Sequence, residues 1–110
     1  MTKRFALRIT GGAAADLTTL YDYVSDTRSA DEAEALLDTL MAKAAGLETF
    51  PYRGSIPPEI TQFGANAIRQ THAGPYRIIY RIAGTTVYVM LIADGRRDLR
   101  ALLERRLLNG

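Results

Sequence analysis

Thr86 to Ala93, TVYVMLIA, is apolar at both parities of a strand. Successive strand residues point to opposite faces, so such a run suits a strand covered on both sides. The stretch before it alternates. Tyr76, Ile78, Tyr80 and Ile82 fall on one face, and Arg77, Ile79 and Arg81 on the other. A further strand is expected over residues 67–72, with turns at Ala73-Gly74-Pro75 and Ala83-Gly84-Thr85. The three strands read as an antiparallel meander. A fourth, short strand is expected at residues 4–10, with Phe5, Leu7 and Ile9 on one face and Arg4, Ala6 and Arg8 on the other. Gly11-Gly12 is expected to break it.

Between this strand and the meander the apolar period lengthens to that of a helix. Ala13, Leu17, Leu20, Tyr21 and Val24 form one stripe over residues 13–27. Ala33, Leu36, Leu37, Leu40, Ala44 and Leu47 form another over residues 30–48, opened by Ser29-x-x-Glu32 at capping-box spacing. The short polar link between them favours an antiparallel helical hairpin. Residues 49–66 hold three prolines and two glycines. They read as a long ordered loop with one helical turn at Pro58 to Phe63. After Gly95, Leu99, Leu102, Leu103, Arg106 and Leu107 mark a last helix over residues 98–108, with Asp98 as its cap and its leucines toward the sheet. The fold expected is a two-layer α+β domain over residues 1–110: N-terminal strand, antiparallel helical hairpin, three-stranded antiparallel meander, C-terminal helix. The hairpin covers one sheet face, and the other is left partly open, lined by arginines and Ile79.

A chain of 110 residues is one domain's worth and can bury a core unaided. With 47% hydrophobic and 24% charged residues, the composition is that of a globular protein. No apolar run is long enough to span a membrane, and Met1 to Thr10 lacks the continuous apolar core of a signal peptide. Cysteine is absent, which excludes disulfides and thiolate metal sites. A cytoplasmic location is expected, with no cofactor or metal. The net charge of +2 is unevenly spread. Ala13 to Glu48 carries eight carboxylates against Arg28 and Lys43, a balance of −6. Ile60 to Gly110 carries eight arginines against Asp94, Asp98 and Glu104, a balance of +5. That split suggests an anionic partner for the C-terminal half.

Several local signatures occur in a fixed order. They are Ala14, Asp16 and Leu17 followed by Tyr21-Asp22-Tyr23; Leu47 to Gly54 (LETFPYRG) followed by Pro58-Glu59-Ile60; Tyr76 to Ile82 (YRIIYRI); Val87 to Ile92; and Gly95-Arg96-Arg97-Asp98-Leu99. In this order and spacing the chain resembles the RelE/ParE toxin superfamily, ParE branch, over nearly its whole length. The resemblance implies a toxin of a type II toxin–antitoxin module, acting on DNA gyrase. It also implies neutralisation by a ParD-like antitoxin with a ribbon-helix-helix domain, in a hetero-oligomer. RelE-like relatives share the fold but cleave mRNA on the ribosome, which is the alternative function. A third possibility is a member that only binds an antitoxin. Many relatives carry His before the Gly-Arg-Arg stretch; here that position is Asp94.

Cleavage of RNA needs groups that exchange protons with the ribose hydroxyl and the leaving oxygen. The chain offers Lys3, Lys43 and His72, which do not cluster in the sequence, and arginine is a poor proton donor. No catalytic residue is therefore assigned, and a binding toxin is favoured. Arg53, Arg77, Ile79, Arg81, Leu17 and Tyr21 are the candidate antitoxin contacts. Arg96, Arg97, Arg100, Arg105 and Arg106 are the candidate target contacts. Sequence-specific nucleic-acid recognition is not expected, since no reader motif is present.

Overall fold

The computed structural model describes residues 4–59 and 67–109. Strand β1 (Ala6–Ile9) leads into helices α1 (Gly11–Thr27) and α2 (Ala30–Ala45). Two short 3-10 turns follow, Gly46–Glu48 and Pro51–Arg53. Strands β2 (Ile68–Ala73), β3 (Tyr76–Ala83) and β4 (Thr86–Asp94) precede helix α3 (Leu99–Asn109). One four-stranded sheet has the order β1-β4-β3-β2, with β1 parallel to β4 and the other pairs antiparallel. The α+β class and the order of the strands and the three helices are as expected; the two 3-10 turns are additional.

Local chemistry explains the boundaries. Both hairpins turn through two residues, Gly74-Pro75 and Gly84-Thr85. Each glycine has φ +59°, a conformation open to glycine, followed by a residue of negative φ, as type II′ turns require. Ser29 accepts from the Glu32 amide at 3.1 Å, and Asp98 accepts from the Ala101 amide at 3.2 Å, so both expected caps form. Gly11 and Gly12 do not break the chain: they are the first turn of α1, capped by Thr10, whose hydroxyl accepts from the Ala13 amide at 3.2 Å. The helical turn expected at Pro58 to Phe63 lies largely outside the described residues.

The helical hairpin buries one sheet face, packing Ala13, Leu40, Ala44 and Leu47 against Ile78, Tyr80, Ile82, Val87, Val89 and Ile92. On the opposite face α3 lays Leu99 and Leu103 over Ile68, Ile79, Leu91 and Ala93. Burying each such leucine contributes about 1.5–3 kcal/mol. The centre of the face expected to stand open is therefore closed by the protein's own helix. Both parities of TVYVMLIA are buried because β4 has a layer on each side. A bulge helps: Ile79 registers with Leu91 but Tyr80 with Val89, leaving Met90 as the extra residue.

Ile9 registers with Val89 at the end of β1, and the Thr10 amide donates to the Val89 carbonyl at 3.0 Å. Beyond that point, among the described residues, no strand neighbours β4 on this side. Asp16 of α1 accepts from the Ile92 amide at 2.9 Å, and Arg106 of α3 donates to the Met90 carbonyl. The two side chains also join each other through bonds of 3.0 and 3.1 Å. Arg106 reaches this place past Gly12, where a Cβ would lie 2.7 Å from its Nη1. A single ion pair thus ties α1, β4 and α3 together, with each side chain only 19% exposed.

Replacing Asp16 by Ala strands a largely buried guanidinium and frees the Ile92 amide, so urea denaturation should show a loss of about 2–4 kcal/mol. Adding Arg106→Met should recover part of the loss. Asp38→Ala on the exposed face of α2 should change stability by less than about 0.5 kcal/mol; an equal effect at the two aspartates would refute the pin.

Candidate functional site

The arginines singled out by the sequence divide into those turned inward and those left in water. Arg77 is 11% exposed and makes a two-pronged pair with Glu59, at 2.8 and 2.9 Å. Its Nε also donates to Gln70 Oε1 at 2.8 Å. Gln70 and Ser55 exchange two backbone hydrogen bonds, of 2.7 and 3.1 Å, so the network staples the Pro/Gly loop to the edge of β2. The hydrogen bonds from Arg77 hold the Glu59 carboxyl below its ordinary range, against the opposing effect of burial. Ile79 is fully buried under α3, and Arg106 belongs to the pin described above. Leu17 and Tyr21 are half-buried on α1, and Leu17 packs against the first core. Of the expected contacts, Arg77, Ile79 and Arg106 each have an internal partner in the fold, whose removal would strand a charge or open the core.

Arg81 is exposed, with its guanidinium 5.5 Å from the centroid of the Tyr88 ring. Arg8 of β1 registers with Tyr88 on β4, and Tyr88 with Arg81 on β3. Arg8, Tyr88 and Arg81 thus form one row across three strands, on the quadrant of the second face that α3 leaves uncovered. Beside it a hollow of about 150 Å³ is lined by Thr10, Arg81, Tyr88, Met90, Arg106 and Leu107. Arg8 was not among the sequence candidates, although its parity with Arg4 in RFALRIT placed it on the solvent side.

A second basic region lies where β4 leaves the sheet. Asp94 accepts from the Arg96 amide at 2.9 Å and from its Nε and Nη2 at 3.1 and 2.9 Å. These bonds draw the Asp94 carboxyl down to about 2, so it is an anion throughout the physiological range and a poor general base. Arg97 and Arg105 are exposed, and Arg100 pairs loosely with Glu104 at 3.7 Å. A groove of about 520 Å³ runs from Asp94 and Arg96 past Tyr76 to Tyr23, Val24 and Leu36 on the helical hairpin. Tyr23, 64% exposed, is a groove residue that the sequence marked only as part of Tyr21-Asp22-Tyr23 and not as a candidate contact. Arg53 lies apart from both regions, its guanidinium 4.4 Å from the centroid of Phe50.

Over residues 7–99 the sequence matches the family described as "ParE toxin of type II toxin-antitoxin system, parDE". The chain belongs to the ParE toxin family. No curated protein sequence matches it. Among solved structures, this ParE-family fold is similar to a chain of the chromosomal ParDE toxin–antitoxin system from P. aeruginosa. The TM-score is 0.70 and the identity 19%, with 84% of this chain and 97% of that one covered. It is also similar to a chain of the toxin–antitoxin complex RelBE2 from Mycobacterium tuberculosis. There the TM-score is 0.62 and the identity 22%, with 86% of this chain and 94% of that one covered. At such identities the likeness is one of fold. Among the described residues of the ParE-family chain, no helix is long and apolar enough to cross a membrane.

The Arg77–Glu59 staple gives this ParE-family protein a pH dependence of known sign. A carboxylate whose pKa is lowered by folding adds stability above its unfolded value, near 4.5 here, and the gain is lost as pH falls through the lower folded value. Thermal melts should therefore show Glu59→Gln less stable than wild type at pH 7, by about 1–3 kcal/mol. The gap should narrow toward pH 3. A gap that persists undiminished at pH 3 would show that the pair's charge is not what holds the loop.

Proposed function

We propose that this ParE-family toxin arrests growth by binding DNA gyrase in the cytoplasm, and that a ParD-like ribbon-helix-helix antitoxin neutralises it in a hetero-oligomer. Family membership supplies the toxin role. The observation favouring a binder over a nuclease is the state of the basic end: Arg96, Arg97, Arg100 and Arg105 stand in water, and the carboxylate beside them, Asp94, is locked as an anion by Arg96. Such a surface offers charge and hydrogen bonds to a partner but little proton traffic. The proposed target contacts are those four arginines, with Tyr23 at the groove mouth. The proposed antitoxin contacts are the Arg8–Tyr88–Arg81 row, Arg53, and the half-buried Leu17 and Tyr21. An acidic amphipathic segment that orders as it binds would pair charge and cover apolar surface together.

Purified toxin should inhibit supercoiling by gyrase, and Arg96→Glu with Arg97→Glu should weaken inhibition at least about tenfold, the equivalent of one lost charged contact. In a translation reaction with mapped mRNA ends the same toxin should leave the message uncut. Codon-positioned cuts with normal supercoiling would replace the gyrase reading with the RelE-like one.

Arg81→Glu should weaken the antitoxin complex by roughly tenfold or more, measured by calorimetry. Arg28→Glu, at an exposed position whose only ion pair among the described residues is with Glu32 at 3.9 Å, should change it little. Equal effects at the two positions would move the antitoxin to another surface.

A further inference from the structure

Phe50 and Tyr52 stand 49% and 59% exposed, on a segment whose backbone is firmly held. The Tyr80 hydroxyl donates to the Pro51 carbonyl at 2.6 Å, Arg69 Nη1 donates to the Gly54 carbonyl at 2.9 Å, and Ser55 is paired to Gln70. Gly54 admits this packing, since a Cβ there would collide with the Tyr80 hydroxyl and the Gln70 carbonyl. The two rings are thus held out in water by a rigid support. Each carries a cation: Arg53 lies 4.4 Å from the Phe50 centroid and Arg69 5.4 Å from that of Tyr52. Phe5 meets Tyr52 edge-on at 6.0 Å, which fixes the ring's orientation. Lys43, Gly46, Phe50, Arg53, Gly54 and Thr71 line an adjoining hollow of about 200 Å³. Among the described residues, the charged groups touching or flanking the rings include Arg4, Lys43, Arg53 and Arg69, with Glu48 paired loosely to Arg4 at 3.7 Å.

Exposed aromatic faces alternating with cations on a rigid support are the chemistry that holds single-stranded nucleic acid: bases stack on the rings and phosphates meet the cations. We propose that this ledge binds single-stranded nucleic acid without sequence preference, through Phe50 and Tyr52 as stacking platforms and Arg53 and Lys43 as phosphate contacts, with Arg69 holding the support in place. The hollow is smaller than the roughly 300–1,000 Å³ of a drug-sized pocket and is no trough for a peptide helix, but one unstacked base or sugar-phosphate unit suits it. The ledge is formed by the loop, the end of α2, Arg69 of β2 and Phe5 just before β1, away from the basic turn after β4, so the proposal stands independently of the gyrase reading.

Fluorescence anisotropy with a labelled dT 20-mer and a labelled rU 20-mer tests it on the whole protein. Wild type should bind both, more weakly as salt rises. Phe50→Ala and Tyr52→Ala should each weaken binding roughly 5- to 100-fold, the range for losing one base–aromatic stack. Arg53→Gln should lower the salt slope by about one phosphate contact. Arg28→Gln, at the far end of the helical hairpin from Lys43, should change neither quantity. Tyr52→Trp, which keeps a π face, should bind as well as wild type, separating stacking from any loss of fold in Tyr52→Ala. Absence of binding at low salt overturns the proposal. So does binding indifferent to both ring deletions, or preference for an acidic peptide over either oligonucleotide.

Discussion

Backbone amides and carbonyls on a strand edge must find partners when other elements bury that edge, and β4 past Val89 is such an edge. Asp16 and Arg106 supply the partners, and in doing so decide where α1 and α3 sit. Asp16 fixes the rotation of α1 over one sheet face. Arg106 fixes the far end of α3, whose Leu99 and Leu103 are already under the other face. With both ends anchored, α3 closes half of its face and leaves the Arg8–Tyr88–Arg81 quadrant in water. The surfaces this toxin can offer a partner follow from that one placement.

The same accounting separates the arginines. A guanidinium with a nearby carboxylate and a backbone or amide acceptor serves as a fastener: Arg77 with Glu59 and Gln70, Arg106 with Asp16 and Met90. A guanidinium lying over an aromatic ring at the surface keeps its charge available, as Arg53 and Arg81 do; Arg69 also braces the loop through the Gly54 carbonyl. Arg96 is intermediate: its charge is matched by Asp94, yet the side chain is 88% exposed and can exchange that partner for another anion. Basic surface in this fold is therefore patchwork, set by which carboxylates the tertiary structure brings near.

Periodicity carried most of the architecture, because two helical stripes and an alternating meander admit few packings. The apolar run at Thr86 to Ala93 already required cover on both faces, and the leucines of the last helix were the material for it. What did not show was which arginine meets which acid. Glu59 lies 18 positions before Arg77, and Asp16 lies 90 before Arg106, so no local pattern links them. The Gly11-Gly12 pair misled for a related reason. Glycine is a poor helix former, but a cap at Thr10 and the space needed by Arg106 outweigh that preference. Tyr52 and Phe50 were visible as loop aromatics, whereas their rigid support depends on Tyr80 and Arg69 from the meander.

The parallel pairing of β1 with β4 has a consequence for synthesis. Ala6 registers with Thr86, so the first strand finds its neighbour only after 80 more residues have been made. At a translation rate of roughly 5–20 residues per second, that is a wait of about 4–16 s. During it the helical hairpin can form from local contacts, but its apolar stripe has no sheet to lie on. The emerging chain therefore carries a bare hydrophobic surface until its last third arrives, a window in which chaperones or a binding partner made nearby can reach it first.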